Sequence, residues 1–219
     1  NSYFKRPHSR GSYTDYEVKS NVTKEEFIKN VNIAKKHITD GDIFQIVLSQ
    51  RFEIDNPPDS FNVYRMLRAV NPSPYLYYFT SSDYKIAGAS PEMLVSVTDG
   101  IVKTKPIAGT VPRDKNSAED RELEKKLNSD PKERAEHTML VDLGRNDVGK
   151  VSKFGTVEVE SFMKTEKYSK VMHLVSDVKG ELRDDKSALD ALMAVLPAGT
   201  LSGAPKVKAM ELIDQLENK

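Results

Sequence analysis

The chain has no cysteine and no tryptophan among its 219 residues. Without thiolates, disulfides, thiolate zinc, Fe-S clusters and cysteine nucleophiles are all excluded, so any covalent chemistry falls to Ser, Thr, Lys or a carboxylate. Excess charge of either sign is also missing, since 33 Lys+Arg stand against 33 Asp+Glu. That balance leaves no electrostatic footprint for DNA, RNA or an anionic membrane surface, and nucleic acid is not an expected partner. No apolar run approaches the roughly 20 residues of a membrane span. The opening Asn1-Ser2-Tyr3-Phe4-Lys5-Arg6 lacks the apolar core of a signal peptide, so the expected location is cytoplasmic, away from membranes. Internal repeats and low-complexity tracts are absent as well.

What is present is an ordinary globular composition, 38% hydrophobic, long enough for one large or two small domains. Its polar start and missing initiator Met point to a piece of a longer chain, with residues 1–21 expected as a linker and 22–219 as one domain. The spacing predicts a helix over 23–40, with Thr23 and Glu26 as capping box, Phe27, Val31, Ala34 and Ile38 as apolar stripe and Gly41 as its end. Alternation over 43–54 predicts a strand that places Gln45 opposite Phe44. A short helix capped by Ser60 follows, then the rigid break Asn71-Pro72-Ser73-Pro74 and an antiparallel meander over 75–104.

Residues 105–114 are expected as a loop and 117–128 as a charged helix. The next helix has Asp130 as N-cap, Pro131 at N1, Glu133 at N3 and Gly144 just past its end. Strands at 157–159 and 171–181, a helix at 187–196, a Gly-rich loop at 198–204 and a helix opening at Pro205 complete an α+β pattern.

Several residue groups can carry chemistry. Glu133 and Glu136 share one helix face and can hold Mg²⁺, yet acidic residues in a first turn also suit the helix dipole with no metal. His173 sits on a strand face with Val171 and Val175, where a hydrogen-bonded core histidine is the commoner outcome. Gly199-Thr200-Leu201-Ser202-Gly203-Ala204-Pro205-Lys206 has N-H groups suited to an anion, or is simply a capping turn; it has neither P-loop nor nucleophile-elbow spacing. Pro106-Ile107-Ala108-Gly109-Thr110-Val111-Pro112-Arg113 offers a close backbone, a hydroxyl and a carboxylate-binding Arg. Arg145-Asn146-Asp147 is either a structural ion-pair cluster or part of a site.

Taken in order, eight segments form a recognisable set. Asp42-Ile43-Phe44-Gln45, Asn71-Pro72-Ser73-Pro74-Tyr75, Gly88-Ala89-Ser90-Pro91-Glu92 and Pro106-Ile107-Ala108-Gly109-Thr110 come first. Glu133-Arg134-Ala135-Glu136-His137, Leu140-Val141-Asp142-Leu143-Gly144-Arg145-Asn146-Asp147, Val171-Met172-His173-Leu174-Val175 and the segment 199–206 complete it. Together they resemble the chorismate-utilising enzymes, most closely the anthranilate synthase component I family.

The resemblance implies a four-layer α/β/β/α mixed-sheet fold, here C-terminally incomplete. It also implies a Mg²⁺-dependent reaction in which ammonia adds to chorismate, the C4 hydroxyl leaves and pyruvate is eliminated, giving anthranilate for tryptophan biosynthesis. By the same route Glu136 would ligate Mg²⁺ with Glu133 in support, Glu92 would be the general acid, His173 and Thr200 would flank the reacting ring, and Gly109 and Thr110 would contact substrate. Isochorismate-forming relatives carry a lysine base where this chain has Gln45, and aminodeoxychorismate synthases place a lysine nucleophile where it has Ala108. Both positions therefore favour ammonia and anthranilate over those alternatives.

With no cysteine for glutamine hydrolysis, a separate glutamine amidotransferase subunit would supply the ammonia. Pro74, Tyr75 and Leu76 match part of a regulatory tryptophan site. A non-catalytic piece that only docks the amidotransferase is the rival from another class. Family members continue beyond Lys219 with further substrate-binding residues and a second glutamate pair. The 219 residues alone are accordingly expected to bind Mg²⁺ and chorismate poorly and to form little or no anthranilate, as a fluorescence assay for anthranilate would show.

Overall fold

The computed structural model describes residues 16–168 and 171–217. Most of the polar opening stretch lies outside those residues, and its end forms β1 (Val18–Ser20). Helix α1 (Lys24–Thr39) begins with the expected capping box, because the Thr23 hydroxyl accepts from Glu26 N and the Glu26 carboxylate accepts from Thr23 N. Gly41 ends it at φ +85°, where the Asp42 N-H returns to the His37 carbonyl.

The strand expected over 43–54 is two short pieces, β2 (Gln45–Ile46) and β3 (Phe52–Ile54). Alternation marks which residues can pair, but length is limited by the partners, which are a two-residue strand for β2 and β1 for β3. Helix α2 (Ser60–Val70) is capped by Asp59, not Ser60, since the Asp59 carboxylate accepts from Asn62 N at 3.0 Å. The region 75–104 is two separate hairpins instead of one meander. The first, β4 (Tyr75–Thr80) with β5 (Lys85–Ser90), packs on α2 through Phe61, Tyr64 and Tyr78, whose ring centroids lie 5.4–6.1 Å apart. The second, β6 (Ser96–Thr98) with β7 (Ile101–Thr104), turns at Asp99-Gly100, both at positive φ.

Residues expected as a loop form β8 (Ile107–Pro112). β9 (Glu158–Lys167) is ten residues long, where only its first residues were expected as strand, and it pairs with β10 (Val171–Glu181). The charged tract Lys164–Lys167 hid it, because one face of that strand carries charge in water.

Along the other edge of β10, β7 and β8 follow one continuous antiparallel register, interrupted only at Lys105-Pro106, where the Pro106 carbonyl still accepts from Ser176 N at 3.1 Å. Pro106 has no N-H to give the ladder, so the two halves behave as one strand with a missing rung. Gly109, at φ +71°, is an extra residue in that strand and makes a bulge opposite His173/Leu174.

Helices α3 (Ser117–Ser129) and α4 (Pro131–Gly149) cover one face of this sheet. Leu127 of α3 meets Met172 and Leu174, while Val141 and Val148 of α4 meet Val102 and Val178, all nearly inaccessible to water. Each such side chain contributes about 1.5–3 kcal/mol by burial. Gly144 does not end α4 but lies inside it, where a Cβ would stand 3.2 Å from Thr104 and 3.3 Å from Pro106, so the missing side chain lets the helix approach the strand break. Helix α5 (Ala188–Val195), a 3-10 turn (Gly199–Leu201), β11 (Gly203–Ala204) and α6 (Lys206–Leu216) follow. Every strand pairing among the described residues is antiparallel, and the helices and sheets give the α+β class expected. No helix among the described residues is long and apolar enough to cross a membrane.

The helices are bolted by a buried ion pair. Lys206 Nζ donates to Asp147 Oδ2 at 2.6 Å and to the Val195 carbonyl at 2.9 Å, with both charged side chains under a tenth exposed. Lys150 Nζ reaches the other Asp147 oxygen at 2.9 Å. Removing Asp147 strands the Lys206 charge out of water, and removing Lys206 leaves Asp147 with only the half-exposed Lys150, whereas removing both leaves neither buried charge. Lys206→Met is expected to cost about 3–5 kcal/mol in urea unfolding, and Lys206→Met/Asp147→Leu less than the sum of the single changes.

Candidate active site

Helix α4 is the spine of the site. Asp130 accepts from Lys132 N at 2.8 Å and Glu133 N at 3.2 Å and fixes where the helix starts. Glu133 returns no capping bond, because the Asp130 N-H goes to the Lys126 carbonyl instead. Its half-buried carboxylate is directed at the neighbouring strand, where a Cβ on Gly109 would stand 3.0 Å from Glu133 Oε2. Glu136, one turn on, is also half-buried, and Gln45 Nε2 donates to it at 3.5 Å. The Gln45 amide oxygen is buried without a hydrogen-bond partner. Pairing of β2 with β11 carries Gln45 to this position, with Ala204 opposite it.

The bulge at Gly109 builds a second part of the site. Thr110 pairs with His173 across the strands, its hydroxyl lies 2.9 Å from His173 Nδ1, and the Gly109 carbonyl lies 3.3 Å from the same nitrogen. The Tyr168 ring meets the imidazole edge-on with centroids 5.4 Å apart. Tyr168 donates to Glu166 at 2.8 Å, and Lys105 donates to the other Glu166 oxygen at 2.6 Å. Burial pushes the Glu166 carboxyl up, but the bonds from Lys105 and Tyr168 together hold it below the usual carboxylate range.

The third part is a narrow cleft of about 40 Å³ between α4 and the 3-10 turn, lined by Glu92, Leu140, Gly144, Asp147 and Thr200 among others. Glu92 accepts from the Thr200 hydroxyl at 3.3 Å. Burial raises its carboxyl above the ordinary value of 4.5, and the Thr200 bond only partly opposes that. Gly199 is packed so closely on Leu143 of α4 that any side chain there would collide with it, which sets the height of Thr200 over the helix. Leu140 stands one turn beyond Glu136, so α4 connects the carboxylate pair to the cleft over about 10 Å of helix.

Pro74, Tyr75 and Leu76 lie outside this cleft, at the base of the β4–β5 hairpin. Tyr75 pairs with Ser90, two residues before Glu92. Arg113 is not free for a substrate carboxylate, since it bonds Asp120 at 2.8 Å and the Tyr168 carbonyl at 2.9 Å. The 198–204 loop is less an anion cradle than a packed turn, with the N-H groups of Leu201 and Ser202 closing on Ala198 and Gly199. Pro205 is the N-cap of α6 and not its first helical residue. Asp147 resolves as the structural ion pair.

Sequence reading missed Tyr168 with its Glu166–Lys105 brace and the Asp147–Lys206 pair. The two lysines and two acids had no spacing signal, because their partners lie 59 and 61 residues apart along the chain.

Neither Glu133 nor Glu136 is in an ion pair with a Lys or Arg among the described residues, so both carboxylates remain available to a cation that prefers oxygen donors. No group of three or more His, Cys, Asp or Glu among the described residues is placed to hold a metal ion by itself.

A family model described as chorismate binding enzyme matches residues 5–219. The chain belongs to the chorismate-binding enzymes. Anthranilate synthase component 1 of Acetivibrio thermocellus is 62% identical over 200 residues, covering 91% of this chain and 40% of the relative. The chain thus spans about two fifths of the length of that curated relative. Among solved structures, anthranilate synthase component I from Streptococcus pneumoniae is 49% identical with a TM-score of 0.84, over 93% of this chain and 45% of that one. The menaquinone-specific isochorismate synthase of Escherichia coli shares the fold, with a TM-score of 0.78 at 20% identity, over 92% of this chain and 47% of its own.

The raised Glu92 carboxyl has a testable sign. Its protonated form is favoured on folding, so the stability it contributes is complete below 4.5 and declines as pH rises through the native value. Urea unfolding of Glu92→Gln should match the unsubstituted chain near about pH 4 and be more stable near about pH 7. A variant less stable at neutral pH would contradict the burial.

Proposed function

We propose that this chain is the substrate-binding core of an anthranilate synthase component I, which converts chorismate and ammonia to anthranilate and pyruvate. The observation that carries the reading is the Gln45 amide. Its nitrogen is tied to Glu136 and its oxygen is left as a buried acceptor with no partner. An amide cannot deprotonate water at neutral pH, but its oxygen can accept from an N-H donor, which suits ammonia as the nucleophile. A lysine at this position would support the water-activating reaction of the isochorismate synthases instead.

Glu136 and Glu133 would hold Mg²⁺, and their freedom from protein cations fits them to it. When bound, the ion would supply positive charge to anchor a substrate carboxylate. Glu92, kept protonatable by burial and oriented by Thr200, is suited to give a proton to the departing hydroxyl. His173, Gly109 and Thr110 form one wall against the substrate ring. Ammonia would come from a glutamine amidotransferase subunit, since this chain has no cysteine. Tryptophan bound at Pro74, Tyr75 and Leu76 would act on Glu92 through the Tyr75–Ser90 pairing. The protein would work in the cytoplasm.

The complete protein, supplied with chorismate, Mg²⁺ and an ammonium salt, should produce fluorescent anthranilate. Glu136→Gln should abolish the product, and Glu92→Gln should lower kcat by about 10²–10⁴-fold, the usual contribution of a general acid. Isochorismate as the product would overturn the assignment to ammonia.

A further inference from the structure

The imidazole of His173 is held more tightly than a strand position requires. The Gly109 carbonyl, turned inward by the bulge, lies 3.3 Å from Nδ1 and can only accept a hydrogen bond. A neutral ring with its proton on Nδ1 suits both oxygens at once, since the carbonyl can only accept and the Thr110 hydroxyl at 2.9 Å can accept as well as donate, and Nε2 then keeps a lone pair with no hydrogen-bond partner among the described residues. Carbonyl and hydroxyl fix one corner of the ring, but a single corner still allows it to swing.

Tyr168 stops the swing. Its ring meets the imidazole at an interplanar angle of 66°, and its own position is set at both ends. The phenol donates to Glu166, which Lys105 holds from the other side, and the Tyr168 carbonyl accepts from Arg113, itself paired with Asp120. Lys105 stands beside Pro106 at the strand break, so the brace is rooted in the sheet.

We propose that Tyr168, braced by Glu166 and Lys105, is a positioning residue that, with the Gly109 carbonyl, holds His173 in its Nδ1-H tautomer and keeps Nε2 free as a proton acceptor. The kinetic consequence rests on the reading of this site as catalytic, whereas the tautomer does not.

The test uses the complete protein labelled with ring-¹⁵N histidine, with the His173 signals assigned by comparison with His173→Gln. Long-range ¹H–¹⁵N correlation should show a protonated Nδ1 and an unprotonated Nε2 at His173. Tyr168→Ala should give a mixture of tautomers, and Tyr168→Phe, which keeps the ring but loses the bond to Glu166, should give a smaller departure from the single form. Glu166→Gln is nearly isosteric and keeps the test informative if Tyr168→Ala fails to fold.

In turnover of chorismate, Tyr168→Ala and Glu166→Gln should lower kcat about tenfold with KM unchanged, the scale on which groups that orient a working side chain act. In a His173→Gln background the same changes should have no further effect on kcat. A proton found on Nε2 in the unsubstituted protein would overturn the proposal, as would a tautomer unchanged by both Tyr168→Ala and Glu166→Gln. Losses of kcat that persist without His173 would also overturn it, because they would mark a purely structural role. If the protein binds no chorismate but shows the tautomer and its loss, the catalytic reading fails and the positioning device stands.

Discussion

Two charges removed from water, on Asp147 and Lys206, join three helices at one point. Asp147 ends the working length of α4, and Lys206 opens α6 just after the turn that holds Thr200 and the two-residue strand that pairs with Gln45. Because neither ion tolerates isolation at this depth, α6 cannot drift from α4 without stranding a charge. The same bolt therefore sets two distances at once, Thr200 to Glu92 and Gln45 to Glu136. Its third bond, to the Val195 carbonyl, closes the end of α5 into the same joint.

The candidate site is consequently a set of short-range arrangements threaded on one helix. Glu133 faces the bulge, Glu136 faces an amide, and Leu140 and Gly144 form the floor beneath Glu92. Each carboxylate has a different neighbour, and that difference separates their chemistry. Glu92 is buried enough to favour its protonated form despite the Thr200 hydroxyl, while Glu133 lies in the first turn of a helix and neither it nor Glu136 is in an ion pair with a Lys or Arg among the described residues.

Local chemistry was legible in the sequence at several helix ends whose partners lie within one turn, although α2 is capped by Asp59 and not by Ser60. The Thr23–Glu26 box, the Gly41 exit and the Asp130-Pro131 start all depend on backbone groups three or four residues away, and each stands where its spacing places it. The motif residues Glu92 with Thr200 and Gln45 with Glu136 were legible as members of a family set, and the fold brings them into contact. What stayed hidden depends on distant partners. Gly144 carries the signature of a helix end but serves close packing against Pro106, and Pro106 carries the signature of a loop but sits in a strand whose register it does not disturb. Glycine and proline punctuate a chain only when nothing across the fold needs their small volume or tolerates their missing N-H.

The extra residue at Gly109 sets the parity of everything after it. A strand shows alternate residues to alternate faces, so one inserted position exchanges inside and outside for the remainder of β8. Thr110 looks toward His173, and Val111 lies with Leu127, Met172 and Leu174, only because the count is odd at that point. A one-residue gain or loss between Pro106 and Thr110 would therefore turn Thr110 away from His173 and Val111 away from its oily neighbours in a single step.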